Sequence, residues 1–159
     1  MVTDARVTIG DVYRVLSLVS DPEMPGISLV DLGMVDRVSV SQDGVLVVLT
    51  PTFVGCPALQ MMQDDAFKRL SSAFGTRTPM VRVVFETGTA WTSDRILPTC
   101  HASLRSRGIA PPVSPDQAVM CPWCGSSNTV REGLFGPAAC RSIHYCRTCR
   151  NPFEALKSI

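Results

Sequence analysis

The sequence predicts an α+β fold, a small sheet with helices on one face, followed by a small cysteine-stapled module. Three observations carry that expectation. Apolar residues in the first two thirds of the chain switch between helical and strand spacing. A proline-dense stretch then divides the chain, and beyond it four cysteines sit in two identical pairs.

From Asp11 to Val19, apolar residues fall at Val12, Val15, Leu16 and Val19, the stripe of an amphipathic helix that stops at Asp21-Pro22. Val35 to Val40 alternates like a half-buried strand. Asp43-Gly44 supplies a hairpin turn, and Val45 to Thr50 reads as a buried strand. Helical spacing returns from Ala58 to Ser72 through Leu59, Met62, Ala66 and Leu70, and Val81 to Phe85 is a third strand. After Trp91 the pattern is helical but irregular, with Pro98 interrupting it. Between Gly108 and Met120 three prolines and no regular period predict a stiff connector. The expected organisation is a domain over 8–107, a linker over 108–119 and a module over 120–159.

The pairs Cys121-Pro122-Trp123-Cys124 and Cys146-Arg147-Thr148-Cys149 are the most specific signal in the chain. Each C-x-x-C turn places two thiolates on one side of a tight knuckle, and two knuckles complete a tetrahedral four-sulfur metal site. The 21 residues between Cys124 and Cys146 slightly exceed the usual ribbon spacing, which a longer hairpin accommodates. A pair of disulfides is the competing reading. Zinc is the expected occupant and makes the module a zinc ribbon. Iron in a rubredoxin-like site, or an iron–sulfur cluster, are the alternatives.

Composition narrows the function. With 15 basic and 14 acidic residues among 159, the chain lacks the basic stripe that nucleic-acid or membrane-surface binding requires. No apolar run approaches the roughly 20 residues of a membrane span. The first residues do not resemble a secretory signal. Seven cysteines, an odd number with metal-type spacing, fit a reducing cytoplasm.

Two positions in the first domain carry candidate chemistry. In Gly55-Cys56-Pro57, proline at the first helical position would put Cys56 at the N-cap, where free backbone N–H groups and the helix dipole favour a thiolate. Gly55 would allow the sharp turn. The bland reading of Cys56 is a small buried hydrophobe. Asp21 and Glu23 bracket Pro22, and their carboxylates read either as ligands or as turn formers.

Asp21-Pro22-Glu23, Leu29-Val30-Asp31-Leu32-Gly33-Met34-Val35 and Leu49-Thr50-Pro51-Thr52-Phe53-Val54-Gly55-Cys56-Pro57 together resemble the signature of the MIP18-like domain. That family assists iron–sulfur cluster assembly. Trp91-Thr92-Ser93-Asp94-Arg95-Ile96, Gly108-Ile109-Ala110-Pro111-Pro112 and the trailing knuckles are similar to one branch of it, the PaaD proteins of phenylacetate degradation. The likeness covers about residues 10 to 155. It implies an accessory factor, with no catalytic residue of its own, that matures the iron or iron–sulfur centres of a multicomponent phenylacetyl-CoA epoxidase. Cys56, with Asp21 and Glu23, would bind iron or a cluster transiently. The partners implied are the oxygenase and reductase subunits and the iron–sulfur assembly machinery, with homodimerisation left open. The alternative is an electron-transfer or structural subunit using a rubredoxin-like iron site.

The segment Leu97-Pro98-Thr99-Cys100-His101-Ala102 departs from the branch, which carries a glycine- and arginine-containing helix there. It reads as a variable exposed segment, with Cys100 and His101 as extra ligands the other option. Cys140, six residues before Cys146, is open between a further ligand and a structural thiol, and His144 reads as structural.

Overall fold

The computed structural model describes residues 6–159, which form two compact units, one up to Ala90 and one from Trp91 onward. In the first unit, helix α1 (Ile9–Leu16) opens on a reciprocal cap. The Asp11 N–H donates to Thr8 Oγ1 at 3.2 Å, and the Thr8 N–H donates back to Asp11 Oδ2 at 3.0 Å. The Thr8 hydroxyl, donating to Asp11 Oδ2 at 2.7 Å, and then the Thr8 N–H hold the Asp11 carboxyl below the usual carboxylate range. Val12 and Leu16 face the core. The helix ends three residues before the expected Val19, which is buried in the turn that follows.

Strands β1 (Val35–Val40) and β2 (Val45–Leu49) pair antiparallel through the Asp43-Gly44 turn, where Gly44 adopts φ 147° against the Met80 carbonyl. Helix α2 (Leu59–Phe74) then crosses over, and β3 (Val81–Phe85) returns parallel to β2, giving the order β1-β2-β3. Met62, Ala66, Leu70 and Phe74 recur at every fourth position of α2 and are all buried. Each large side chain among them contributes roughly 1.5–3 kcal/mol through burial. Helix α1 packs on α2 and β1, and α2 packs on β3.

The second unit contains helix α3 (Pro98–Arg105) and a four-stranded sheet. Its strands are β4 (Ile109–Ala110), β5 (Thr129–Gly133), β6 (Arg141–Cys146) and β7 (Pro152–Leu156), in the order β4-β7-β6-β5. Two expectations are corrected here. Pro98 starts a helix instead of breaking one, because the first helical position needs no N–H and a fixed φ suits it. The stretch 108–119 is not wholly a connector, since Ile109 and Ala110 pair in parallel with Glu154 and Ala155 of β7. Helix α3 packs against β4, so the segment from Trp91 belongs with the cysteine module. A buried ion pair, Arg141 Nη1 to Glu154 Oε2 at 2.7 Å, joins the inner strands.

No helix among the described residues is long and apolar enough to cross a membrane.

Candidate functional site

The two C-x-x-C turns are folded alike. In the first, the Gly125 N–H donates to the Cys121 carbonyl at 2.9 Å and the Cys121 N–H donates to the Ser126 carbonyl at 2.9 Å. In the second, the Arg150 N–H donates to the Cys146 carbonyl at 2.8 Å and the Cys146 N–H to the Asn151 carbonyl at 3.0 Å. Each loop thereby turns its two sulfurs inward and ties its backbone polar groups to itself. A hydrogen bond of 2.8 Å between the Ser126 and Thr148 hydroxyls links the loops, and the Arg147 N–H donates to the Asn128 carbonyl at 2.9 Å.

The four sulfurs of Cys121, Cys124, Cys146 and Cys149 all lie within 4.8 Å of one another. Cys121 and Cys149 sulfurs are 3.7 Å apart, and those of Cys124 and Cys146 are 3.6 Å apart. A tetrahedral ion with bonds of about 2.3 Å to sulfur requires edges of about 3.8 Å. The sequence-predicted ligands therefore meet at the dimensions of one four-coordinate ion. Cys121 and Cys146 are buried in a cluster with Ala110, Phe153 and Ala155, while Cys124 is exposed.

The thiols do not ionise alike. Burial raises Cys121. Cys124 receives the Ser126 N–H, which lowers it, but burial and the crowded sulfurs of Cys146, Cys149 and Cys121 push it up to about 12. Cys146 is pushed down to about 6 by the backbone N–H groups of Cys149 and Thr148 and by the Cys124 thiol. The opposite shifts of Cys124 and Cys146 are two sides of one interaction, a proton shared between adjacent sulfurs that favours one thiolate in the pair. A cation at the centre supplies the charge that lets the remaining thiols ionise.

Two supports were not legible from the cysteine spacing. The Trp123 ring, inside the first knuckle, lies over Gly108, where an added Cβ would sit 2.4 Å from Trp123 Cζ2. Its indole N–H donates to the Pro152 carbonyl at 3.2 Å, tying the knuckle to β7. Thr129 Oγ1 likewise donates to the Val119 carbonyl at 2.7 Å.

The second candidate centre is the loop between β2 and α2. Cys56 there is a free, half-buried cysteine whose N–H donates to the Phe53 carbonyl at 3.1 Å. The cap of α2 is Ala58, not Cys56, because Pro57 and Ala58 complete a turn before the helix begins at Leu59. Gly55 keeps an ordinary φ, and its lack of a side chain makes room for the Phe53 ring, 3.0 Å from where a Cβ would stand. Phe53, Val54 and Pro57 of the same loop are exposed.

Asp21 is 4% exposed and accepts the Glu23 N–H at 2.8 Å, and its own N–H donates to the Ile27 carbonyl. It shapes the 21–27 turn; Glu23 is exposed. Leu97, Pro98, Thr99 and Ala102 are exposed, whereas Cys100 of the same segment is buried within α3. Cys140 is outside the four-sulfur group. It precedes β6 and Cys146 ends that strand, so six extended residues, roughly 20 Å, separate them along the chain. His144 is buried, stacked on Phe153 with ring centroids 5.4 Å apart, and its Nε2 lies 3.0 Å from Ser142 Oγ. Burial, then the charge of Arg131, lowers its pKa.

Comparison with known proteins agrees with this division. Residues 9–78 match the family of iron-sulfur cluster assembly proteins, and residues 109–157 match the PaaD zinc beta ribbon domain. The whole chain is 34% identical to an Escherichia coli protein described as a component of a "Putative 1,2-phenylacetyl-CoA epoxidase", covering 98% of it. An Fe-S protein maturation auxiliary factor of Porphyromonas gingivalis is 35% identical over 48% of this chain and 72% of its own length. Among solved structures, a domain of unknown function DUF59 from Bacillus anthracis matches with TM-score 0.55 and 26% identity, over 60% of this chain and 89% of its own. A conserved hypothetical protein from Thermotoga maritima matches with TM-score 0.52 and 31% identity, over 64% and 94%. With an assembly-type domain, a four-cysteine ribbon and full-length similarity all in one chain, this protein belongs to the PaaD family of phenylacetyl-CoA epoxidase components.

Proposed function

We propose that this protein is an accessory factor of aerobic phenylacetate degradation, acting in the cytoplasm to load iron or an iron–sulfur cluster into the multicomponent phenylacetyl-CoA epoxidase. The full-length relative, described as an epoxidase component, supports the pathway, and the maturation auxiliary factors support the activity. The observation that carries the reading is the free Cys56 thiol on a loop of an assembly-type domain that also exposes Phe53, Val54 and Pro57. Iron or a cluster is cargo here. Cys56 would hold it transiently and give it up to a client, the oxygenase or the reductase, with Glu23 a carboxylate donor from the 21–27 turn and Asp21 holding that turn.

In this reading the ribbon carries zinc, which stabilises a small fold without redox chemistry. The short sulfur–sulfur distances support a single ion over a cluster, whose several irons would hold the thiolates further apart. Removing the protein from cells should leave epoxidase and reductase subunits folded but short of iron. Full iron loading in its absence overturns the proposal. A coloured, redox-active iron in the purified ribbon would instead favour an electron carrier.

A further inference from the structure

The second unit holds a cavity of about 390 Å³ that the cysteine site does not use. It lies between strands β5–β7 and the run 113–119, and its size is typical of small-molecule pockets. Val113, Val119, Leu134 and Leu156 give it apolar walls. Among the polar side chains that stand against them are Arg131, Ser142 and His144. Ser142 and His144 are each 6% exposed. The Ser142 hydroxyl lies 3.0 Å from His144 Nε2 and 3.4 Å from the Ala155 carbonyl, so this buried pair is fixed before any ligand arrives.

The charge of the cavity is unbalanced. Arg131 sits opposite His144 in the β5–β6 register, and its guanidinium makes no hydrogen bond or ion pair among the described residues. Lys157 also lines the space, but its ammonium is engaged by the Ala139 carbonyl at 2.7 Å and by the Phe135 ring, 3.8 Å from the centroid. No Asp or Glu is among the lining residues. A cation facing an apolar-walled space without a counter-ion selects an anion.

We propose that this cavity binds a small organic acid, its carboxylate on Arg131 beside the buried Ser142–His144 pair and its apolar body against Val119 and Leu134. A planar carboxylate matches the guanidinium fork of Arg131. Inorganic phosphate has no apolar body to set against Val119 and Leu134, whose walls it would leave uncovered. A ribbon that senses such an acid would couple the protein to the supply of an acidic metabolite, independently of any cargo at Cys56.

The test uses the full metal-loaded chain, with benzoate titrated against it and followed by heteronuclear NMR. Benzamide serves as the uncharged isostere and inorganic phosphate as the competing anion. Saturable benzoate shifts should centre on Arg131, Ser142 and Leu134, with benzamide at least about tenfold weaker and phosphate failing to compete. Arg131 is exposed, so Arg131→Gln should keep the fold and the metal while weakening benzoate about tenfold. No saturable shift at the cavity, equal binding of benzamide, displacement by phosphate, or unchanged affinity in Arg131→Gln would each overturn the proposal.

Discussion

Gly125 and Arg150 occupy the same backbone position in the two knuckles, one residue past the second cysteine, with φ of 74° and 61°. Both donate their N–H to the carbonyl of the knuckle's first cysteine. Only one of them is a glycine. The left-handed region costs a residue with a side chain roughly 1–2 kcal/mol, so the second knuckle carries strain that the first avoids.

Exchange at these positions should therefore be asymmetric. Space is open around Gly125, so Gly125→Ala meets only the backbone penalty and should destabilise the ribbon by roughly 1–2 kcal/mol. Arg150→Gly relieves that strain but adds freedom to the unfolded chain, and should change stability by less than about 1 kcal/mol. Thermal unfolding of the zinc-loaded protein measures both.

Gly108→Ala should be more damaging than either. Its Cβ would overlap the Trp123 ring at a φ of 73°, so the indole must leave and lose its bond to Pro152. Overpacking plus the backbone penalty amount to roughly 2–4 kcal/mol. The Trp123 indole N–H resonance should shift toward its solvent-exposed position.

Metal affinity should rise steeply with pH. In the metal-free ribbon, burial raises Cys121, while crowded neighbouring sulfurs and burial outweigh the Ser126 N–H to raise Cys124 to about 12; Cys146, pushed down to about 6, is already ionised at neutral pH. Binding expels at least the protons of Cys121 and Cys124, so affinity gains about a hundredfold per pH unit around neutrality. Because these protons are bound only in the metal-free state, acidification releases the metal. Chelator competition across pH measures the slope, and a slope near zero contradicts the assigned ligands.

Cys121→Ser removes one of the four ligands and should abolish stoichiometric metal. Binding free energy in such modules, on the order of 10 kcal/mol in zinc peptides, is also folding free energy. Amides of β5–β7 should lose protection from exchange, while residues of α2 and β3, in a separate compact unit, retain theirs. Metal content unchanged in the variant rules out the four-cysteine site.

The sequence exposed those parts of the protein whose physics is local. The β1–β2 hairpin follows from alternation and Asp43-Gly44, α2 from apolar residues on one face, and the knuckles from cysteine spacing. Strand β4 was hidden because two residues cannot show a period, and its pairing partner lies 45 positions on, at Glu154 for Ile109. Pro98 breaks or starts a helix depending on where the helix begins, which the irregular pattern after Trp91 did not fix. The left-handed conformation of Arg150 is imposed by the closing of a knuckle and has no signature in the residue itself. The cavity beside Arg131 needs three strands and a loop to exist, so no segment alone announces it.

The iron content of the client separates function from folding most directly. Cys56 is not the cap of α2, so Cys56→Ser should leave that helix and the ribbon metal in place while removing the thiolate donor. In cells whose only copy carries Cys56→Ser, the reductase and oxygenase subunits should be purified with iron reduced to the level found when the protein is absent. Full iron in both clients from those cells would contradict the account and leave Cys56 a packing residue.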